Sequence, residues 1–408
     1  MKKWFMCLLM AGLIASNALA KETPKPKTPP PAPAKKVQAA PPPAQTKKAA
    51  APAPQNEAPF QALIVMEAST GKILEEINSH LKHPLASVTK LMTACIVMEK
   101  LETGAIKLTD MVTVSAASSK MGGSQVYLKE GESFPLEELM KAVMVASGND
   151  AAHAVAEHIA GTQEAFVEEM NKKAKSLGMN DSDFHSVHGL PPATGQIADA
   201  SSCHDLMLLS RELLKYPKLL EWTTIQTEPF RDGAFIMNNH NKILGRLPGA
   251  DGFKTGFYSS AGFNVVATAK KDALRLVVAV LGSPSARIRD GVAIEKFKKY
   301  FAKFNMVPLA QKGQGVGDII ALPDGETQSF QAVAASDFFY PVLKEKLSAV
   351  KKELHLPREI SGGVEAGQKV GDIVFSLENE TLATVDLVAP AQIKKLGFFK
   401  RLLRRIGL

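Results

Sequence analysis

Three short motifs between residues 87 and 256 constrain this chain more than any other feature. They are S-x-x-K at Ser87–Lys90, S-G-N at Ser147–Asn149 and K-T-G at Lys254–Gly256. S-x-x-K alone carries little information because the chain has four copies, whereas S-G-N and K-T-G each occur once. The long apolar run Leu91–Met98 selects the copy at Ser87, because it predicts a buried helix with this serine in its first turn.

The phrases around these motifs resemble one protein family. Residues 85–93 (L-A-S-V-T-K-L-M-T), 147–151 (S-G-N-D-A), 188–190 (H-G-L) and 251–256 (D-G-F-K-T-G) are similar to motifs of the D-alanyl-D-alanine carboxypeptidases. These enzymes are the low-molecular-mass penicillin-binding proteins of peptidase family S11. The resemblance runs from about Phe60 to the C-terminus.

This resemblance implies an α+β fold of the β-lactamase/transpeptidase type, in which helices flank an antiparallel sheet. It also implies a serine-type carboxypeptidase that removes the terminal D-alanine from peptidoglycan stem pentapeptides through an acyl-enzyme. β-Lactam antibiotics are then expected inhibitors, because their strained amide resembles the D-Ala-D-Ala terminus. No cofactor is expected, and the sequence has no metal-ligand spacing.

The resemblance assigns the proton chemistry to three residues. Ser87 is the expected nucleophile and Lys90 its base, and on a helix their side chains share one face. To act as a base the lysine must be neutral, so we expect burial and the nearby cation of Lys254 to lower its pKa. Ser147 is expected to relay the proton to the leaving amine.

The substrate contacts are also implied by the resemblance. Asn149 is expected to hold Lys90 and the substrate amide. Lys254 and Thr255 are expected to bind the terminal carboxylate of the peptide. Arg289 matches a further carboxylate-binding arginine by its spacing from K-T-G, with Arg287 as the neighbouring alternative.

The oxyanion hole is expected from the backbone N–H groups of Ser87 and Phe257. Gly256 is expected to let the substrate backbone approach the strand closely. Phe257 departs from the family, in which close relatives often carry His or Tyr after K-T-G. That change bears on substrate preference and deacylation rather than on the reaction class. For His188, a structural and a functional role are both open.

The N-terminal residues predict a signal peptide followed by a linker. Residues 1–20 predict a signal peptide, with Lys2 and Lys3 before a short apolar core and Ala18–Ala20 as a small-residue cleavage site. Residues 21–59 are rich in Pro, Ala and Lys and hold 12 of the 25 prolines, which predicts a semi-extended linker. We therefore expect an exported protein.

The C-terminal residues 391–408 predict a basic amphipathic helix. Apolar residues recur at helical spacing, and six cations without an acid occupy the other faces. The apolar positions are Ile393, Leu396, Phe399, Leu403 and Ile406. Such a helix is typical of an anchor in an anionic membrane surface, here the periplasmic face of the cytoplasmic membrane, with packing on the protein's own domain as the alternative.

The net charge of +8 comes from these terminal segments. The signal contributes +2, the linker +5 and the tail from Ile393 +6, so the remaining body carries −5. A nucleic-acid-binding domain needs a basic face, so this distribution argues against nucleic acid as a partner.

The body divides into two expected domains. Residues 60–306 contain all three motifs and predict strands at both ends with helices between them. Residues 307–390 predict a smaller, mainly β domain, with alternating strands at Ile373–Leu377 and Leu382–Val388. Cys95 and Cys203 lie in apolar helical patterns and are expected to be buried thiols, with their pairing left open.

Four other functions remain open at this point. A transpeptidase or a DD-endopeptidase would use the same site on peptidoglycan. A serine β-lactamase shares the motifs but needs an acid to activate the deacylating water, and near residues 185–190 the closest acids are Asp181 and Asp183. A non-catalytic, membrane-tethered wall-binding protein is the alternative from another class, against which the intact motifs speak.

Overall fold

A computed structural model of the chain describes residues 58–405. The predicted signal peptide and all but the end of the predicted linker lie outside the described residues. The strands of the first domain are β1 (Ala62–Glu67), β2 (Ile73–Ile77), β3 (His83–Pro84), β4 (Met111–Thr113), β5 (Ser133–Pro135), β6 (Ala200–Ser201), β7 (Thr227–Phe230), β8 (Phe235–Asn238), β9 (Ala250–Tyr258), β10 (Gly262–Lys271) and β11 (Leu274–Ser283). Its helices are α1 (Lys90–Glu102), α2 (Leu136–Lys141), α3 (Asn149–Ala160), α4 (Gln163–Ser176), α5 (Cys203–Leu213), α6 (Pro217–Thr224) and α7 (Ala286–Lys303).

A five-stranded antiparallel sheet forms the centre of the first domain. Its strand order is β2-β1-β11-β10-β9, so strands from both ends of the domain pair in the middle. Alternate residues of β1 enter two different cores: Ile64 packs on the helical side, and Leu63 packs on the side of α7. Because both faces are covered, these strands read as continuous apolar runs rather than alternating ones.

The helical layer on one face of the sheet contains α1, which is buried along Lys90–Met98 as its apolar run predicted. Near the end of the domain, β10 and β11 form an antiparallel hairpin, in line with the strands predicted there. Cys95 and Cys203 are both buried, free thiols in α1 and α5. The α+β prediction is therefore confirmed, with helices on both faces of an antiparallel sheet.

The second domain is mainly β, as predicted. Its strands are β12 (Phe304–Ala310), β13 (Gly315–Ala321), β14 (Ser329–Ala334), β15 (Phe338–Leu343), β16 (Val350–His355), β17 (Lys369–Leu377) and β18 (Glu380–Val388). The first of them starts directly after α7, three residues before the predicted boundary. One sheet has the order β13-β14-β18-β17-β16, and β12 pairs with β15 in another.

The C-terminal helix starts later than the sequence predicted. Ile393 and Leu396 are each only 9% exposed, and Ile393 bridges to Val364 within the core of the second domain. Helix α8 spans only Phe398–Arg405. The apolar residues that recur from position 393 therefore lie in two environments. Ile393 and Leu396 are buried before the helix begins, and Phe399 belongs to α8. Ile406 lies outside the described residues.

No helix within residues 58–405 combines the length and apolar character needed to cross a membrane.

Candidate active site

The turn that carries Ser87 is fixed by neighbours on two sides. Ser87 lies in a 3-10 turn, Ala86–Thr89, and α1 begins only at Lys90, so the serine precedes the helix instead of lying in its first turn. Before the turn, the Leu85 N–H donates to the Asp199 carbonyl oxygen at 3.0 Å. The side chain of Asn264 on β10 donates to the Leu85 carbonyl oxygen at 3.1 Å. Ser87 itself is half-buried and so open to a ligand.

Lys90 is completely buried and lies at the centre of the site. Its Nζ is 3.0 Å from Ser87 Oγ, 2.6 Å from Asn149 Oδ1 and 2.8 Å from the His188 carbonyl oxygen. Burial lowers the pKa of Lys90 well below its ordinary value, and the positive charge of Lys254 lowers it further. The predicted S-x-x-K contact and the depressed pKa are thus both present.

These three contacts suit a neutral amine. The Asn149 amide nitrogen donates to the Gly122 carbonyl oxygen at 2.7 Å, so Oδ1 is the atom that faces Lys90. Oδ1 and the His188 carbonyl oxygen can only accept, and together they take two N–H groups of Lys90. The remaining lone pair of an uncharged Nζ then faces Ser87 Oγ. The arrangement can therefore accept the hydroxyl proton.

The loop that supplies the His188 carbonyl is braced by Asp199, which sequence analysis did not select. Its carboxylate accepts from the N–H groups of His185 and Ser186 at 2.6 and 2.8 Å, and from Ser186 Oγ at 2.6 Å. Ser186 Oγ accepts in turn from the Gly189 N–H at 2.9 Å. With its oxygens committed to these donors, Asp199 is a brace rather than a free base for water. The only sequence signal for it was an acid downstream of H-G-L.

Gly189 packs directly against the serine turn. Its φ is +75°, and a Cβ at this position would lie 2.0 Å from the Ala86 carbonyl oxygen. Since an atom pair cannot approach so closely, only glycine fits. The H-G-L motif therefore serves to dock the loop on the turn.

The His188 ring has a structural contact in addition to the contact of its backbone. Nδ1 accepts from the Leu190 N–H at 3.1 Å, and the ring is only 7% exposed. Burial, followed by repulsion from Lys90 and His153, lowers the pKa of His188 to about 3. The ring is therefore neutral at physiological pH, and the part of His188 that touches a predicted catalytic group is its carbonyl.

Ser147 occupies a strained, buried position. It is 1% exposed and lies in the left-handed region at φ +60°, between a π-helical turn at Ala142–Ala146 and α3. Within residues 58–405 its Oγ has no hydrogen-bond partner. The proton relay implied by the family resemblance therefore has no preformed hydrogen bond in the free protein. A buried hydroxyl without a partner remains available to one that arrives with a ligand.

Asn149 starts α3, and both ends of its amide are used within the protein. The side chain bonds Lys90 and Gly122, while its backbone N–H donates to the Ser124 carbonyl oxygen at 2.8 Å. The expected contact with Lys90 is present. The expected contact with a substrate amide can use the second N–H group of the Asn149 amide, because the bond to Gly122 takes only one.

The K-T-G motif lies on β9, the last strand in the sheet order, and runs beside the serine turn. A Cβ on Gly256 would lie 2.5 Å from the Leu85 carbonyl oxygen and 2.9 Å from the Ser87 nitrogen. Gly256 is thus needed for contact with the protein's own serine turn, where the sequence had suggested contact with substrate. Thr255, 6% exposed, lies next to it.

Lys254 is 2% exposed, and its Nζ donates to the Thr255 carbonyl oxygen at 3.0 Å. Burial and, after it, the positive charge of Arg289 lower the pKa of Lys254 to about 7. The positive charges of Lys254 and Arg289 thus act in sequence, the first on Lys90 and the second on Lys254. A site with this potential favours an anionic ligand.

Arg289 is the buried member of the two arginines considered. It is 4% exposed on α7, and its guanidinium donates to Asp290 Oδ1 at 2.7 and 2.9 Å and to the Asn264 carbonyl oxygen at 3.3 Å. Arg287 is exposed. The arginine that shares the electrostatic environment of Lys254 is therefore Arg289, although Asp290 already neutralises part of its charge.

Phe257 follows K-T-G and remains 53% exposed. Its ring stacks on that of Phe263, the residue directly opposite on β10, with ring centres 4.0 Å apart and 21° between the planes. Phe257, the residue at which this chain departs from the family, is thus packed against a neighbouring ring. The residue after K-T-G is part of an aromatic pair at the edge of the site.

Sequence comparison places these features in a known context. A family profile described as D-alanyl-D-alanine carboxypeptidase matches residues 46–285, and one described as Penicillin-binding protein 5, C-terminal domain, matches residues 304–395. The carboxypeptidase DacF of Bacillus subtilis is 34% identical over 85% of this chain and 89% of its own length. The carboxypeptidase DacC of Escherichia coli is 32% identical over 84% and 86%.

Solved structures of penicillin-binding proteins are also similar to this chain. Penicillin binding protein 5 from Haemophilus influenzae is 28% identical, with a TM-score of 0.70 over 83% of this chain and 99% of that one. The ampicillin-bound form of Penicillin-Binding Protein D2 from Listeria monocytogenes is 29% identical, with a TM-score of 0.53 over 58% of this chain and 96% of that one.

Proposed function

Because this chain belongs to the D-alanyl-D-alanine carboxypeptidase family and is a serine-type D-Ala-D-Ala carboxypeptidase, we propose that Ser87 is its nucleophile and Lys90 the base that activates it. The observation that carries this assignment is the buried Lys90 Nζ, which contacts two acceptor oxygens at 2.6 and 2.8 Å and Ser87 Oγ at 3.0 Å. A serine hydroxyl becomes a nucleophile when such a base takes its proton.

The first step forms the acyl-enzyme. Ser87 Oγ attacks the carbonyl of the penultimate D-alanine while its proton passes to Lys90 Nζ. The C–N bond to the terminal D-alanine then breaks, and Lys90 Nζ passes its proton through Ser147 Oγ to the leaving amine, which leaves Lys90 neutral. The oxyanion is stabilised by the N–H groups of Ser87 and Phe257. Water then attacks the ester and Lys90 removes its proton; as the bond between the acyl carbon and Ser87 Oγ breaks, Lys90 returns that proton to Oγ.

The terminal carboxylate of the peptide gives the site its specificity for an exopeptidase substrate. We assign its binding to Lys254 and Thr255, with Arg289 contributing positive charge behind the strand. The buried Lys254, which carries a proton only below about pH 7, supports this assignment because an incoming carboxylate stabilises its charged form.

Penicillin labelling and release of D-alanine test the catalytic assignment. Purified protein is incubated with a pentapeptide ending in D-Ala-D-Ala, with and without penicillin, and free D-alanine is measured. We expect penicillin-sensitive release, and Ser87→Ala should abolish both release and labelling. Ser348→Ala is the matched control, because Ser348 begins another S-x-x-K string but is exposed in the second domain.

The outcomes separate the alternatives. Release of D-alanine by Ser87→Ala would refute the nucleophile. Labelling without release would instead favour a transpeptidase or DD-endopeptidase that needs an acceptor or a cross-linked substrate. Absence of both would favour a non-catalytic wall-binding protein.

We also propose that the protein is exported and held at the periplasmic face of the cytoplasmic membrane by α8. Phe398, Phe399 and Leu402 are 67%, 78% and 50% exposed. Arg401 lies 3.5 Å from Asp324, and Arg404 donates to the Gly325 carbonyl oxygen at 2.6 Å. These contacts fasten one side of the helix to the second domain and leave its aromatic side free, which suits insertion into an interface.

Vesicle binding tests the anchor. Removal of residues 398–408 should abolish sedimentation with vesicles that contain phosphatidylglycerol and leave D-alanine release unchanged. The truncated chain ends at Gly397 so that it keeps Leu396, whose side chain is buried, and Ile393, which belongs to the core of the second domain. Vesicle binding that survives the truncation would refute the role of α8.

A further inference from the structure

Tyr127 combines two features that folding alone does not favour. Its side chain is 63% exposed, and its backbone lies in the left-handed region at φ +58°. For a bulky residue that conformation costs roughly 1–2 kcal/mol, and it persists only where the surroundings impose it. Its neighbours Val126 and Leu128 are buried, so the segment turns Tyr127 outward between two inward anchors.

Two charged side chains hold this segment from opposite sides. The buried carboxylate of Asp150 accepts from the N–H groups of Val126 and Leu128, at 3.1 and 3.0 Å. From the β7–β8 hairpin, Arg231 donates to the carbonyl oxygens of Val126 and Tyr127 at 2.7 and 2.8 Å. The strained conformation is therefore fixed by hydrogen bonds to the backbone on either side of the exposed ring.

The ring is also supported in place. It meets Phe235 of β8 edge-on, with ring centres 5.8 Å apart and 81° between the planes. Ile236 beside Phe235 in the chain is 48% exposed. An exposed aromatic ring with a rigid backbone and an aromatic support loses little conformational freedom when it binds a ligand.

The segment is continuous with the catalytic centre. Asp150 follows Asn149, whose side chain bonds Lys90, and Asn149 also bonds Gly122 and Ser124 of the same segment. Tyr127 follows Ser124 by three residues, so standard chain dimensions allow at most about 10–11 Å between its backbone and the Ser124 carbonyl that bonds Asn149. An extended peptide advances about 3.3 Å per residue, so this distance corresponds to about three residues.

We propose that Tyr127 is a specificity-determining residue that contacts the substrate peptide three or four residues upstream of the bond that is cut. The proposal rests on the proposed carboxypeptidase function. The terminal carboxylate is assigned to Lys254 and Thr255 on β9, and the proposal places the upstream part of the peptide on the side of Asn149 and Tyr127. The ring packs there against apolar parts of the peptide.

Two substrates of different length test this role. One is an acylated tripeptide ending in D-Ala-D-Ala, which reaches one residue upstream of the pair, and the other is the pentapeptide. We expect Tyr127→Ala to lower kcat/KM for the pentapeptide roughly five- to ten-fold through KM, and to leave tripeptide hydrolysis and penicillin acylation unchanged. Tyr127→Phe should retain wild-type values, because the ring is kept.

A second variant separates the effect of losing the ring from the effect of backbone strain at this position. Tyr127→Gly removes the ring but adopts positive φ without strain, so its thermal stability should equal or exceed that of the wild type. It should show the same selective loss on the pentapeptide. Leu347→Ala is the control, because it removes a 46% exposed apolar side chain from the second domain.

Each other result overturns the proposal. Equal losses on both substrates would give Tyr127 a structural role, and no loss on either would leave the ring without a substrate contact. Failure of the wild type to release D-alanine from the tripeptide would instead refute the proposed function, and the two failures are thus distinguishable.

Discussion

Replacement of Gly189 by alanine tests how the active site is held together. The residue has φ +75°, and its Cβ would lie 2.0 Å from the Ala86 carbonyl oxygen, one residue before Ser87. Those atoms must separate by more than 1 Å to reach an ordinary contact of 3.4 Å. Because Gly189 is bonded to His188, that shift draws the His188 carbonyl away from Lys90 Nζ, where it now lies at 2.8 Å.

The expected loss in rate follows from this displacement. A shift of about 1 Å in a catalytic constellation costs on the order of 100-fold in rate. The positive φ adds a cost in stability of about 1–2 kcal/mol, which any alanine in the left-handed region bears. We therefore expect Gly189→Ala to slow acylation by a fluorescent penicillin on the order of 100-fold, measured as a second-order rate constant by stopped flow.

A matched variant isolates the steric part of the effect. Gly178, after α4, has a nearly identical φ of +76°, but a Cβ added there would meet no atom within 4 Å. Gly178→Ala should lose a similar amount of stability in thermal unfolding and keep the wild-type acylation rate. If both variants acylate at the same rate, the docking of the H-G-L loop on the serine turn does not position Lys90.

Two further predictions concern charge. Asp199→Asn should keep the two backbone N–H bonds of the loop but remove a negative charge that raises the pKa of Lys90. The acidic limb of the kcat/KM profile for acylation should therefore move to lower pH. An unmoved limb would show that the Asp199 carboxylate does not act on Lys90. Lys254 has a pKa of about 7 and is cationic below it, so KM for a peptide with a free C-terminal carboxylate should rise as the pH increases through 7. The corresponding C-terminal amide is the control, and parallel pH profiles for the two peptides would contradict carboxylate binding by Lys254.

Some of the site could be predicted from local sequence. The S-x-x-K spacing places Ser87 and Lys90 together through backbone geometry alone, and the apolar run after them requires burial, which lowers the pKa of the lysine. The continuous apolar strands near both ends of the first domain likewise suit a sheet covered on both faces.

Other parts depend on contacts between distant segments. Asp199 and Asn264 are as polar as many surface residues, and their roles appear only when the chain brings one beside the H-G-L loop and the other beneath the serine turn. The same holds for Gly256, whose missing side chain matters because β9 passes the Ser87 nitrogen. In the C-terminal residues, apolar spacing alone predicted the wrong structure. Ile393 and Leu396 fit a helical repeat but are buried before the helix, beside the β domain.

The sequence by itself determined the motifs, the family they resemble and the buried character of the helix behind Ser87, because these depend on residues close together in the chain. Only the tertiary structure decided which oxygens face Lys90, why Gly189 and Gly256 cannot carry a side chain, and why Tyr127 is held outward. The physical reason is that these properties arise from atoms far apart in the chain, whose distances follow from the packed fold and not from local spacing.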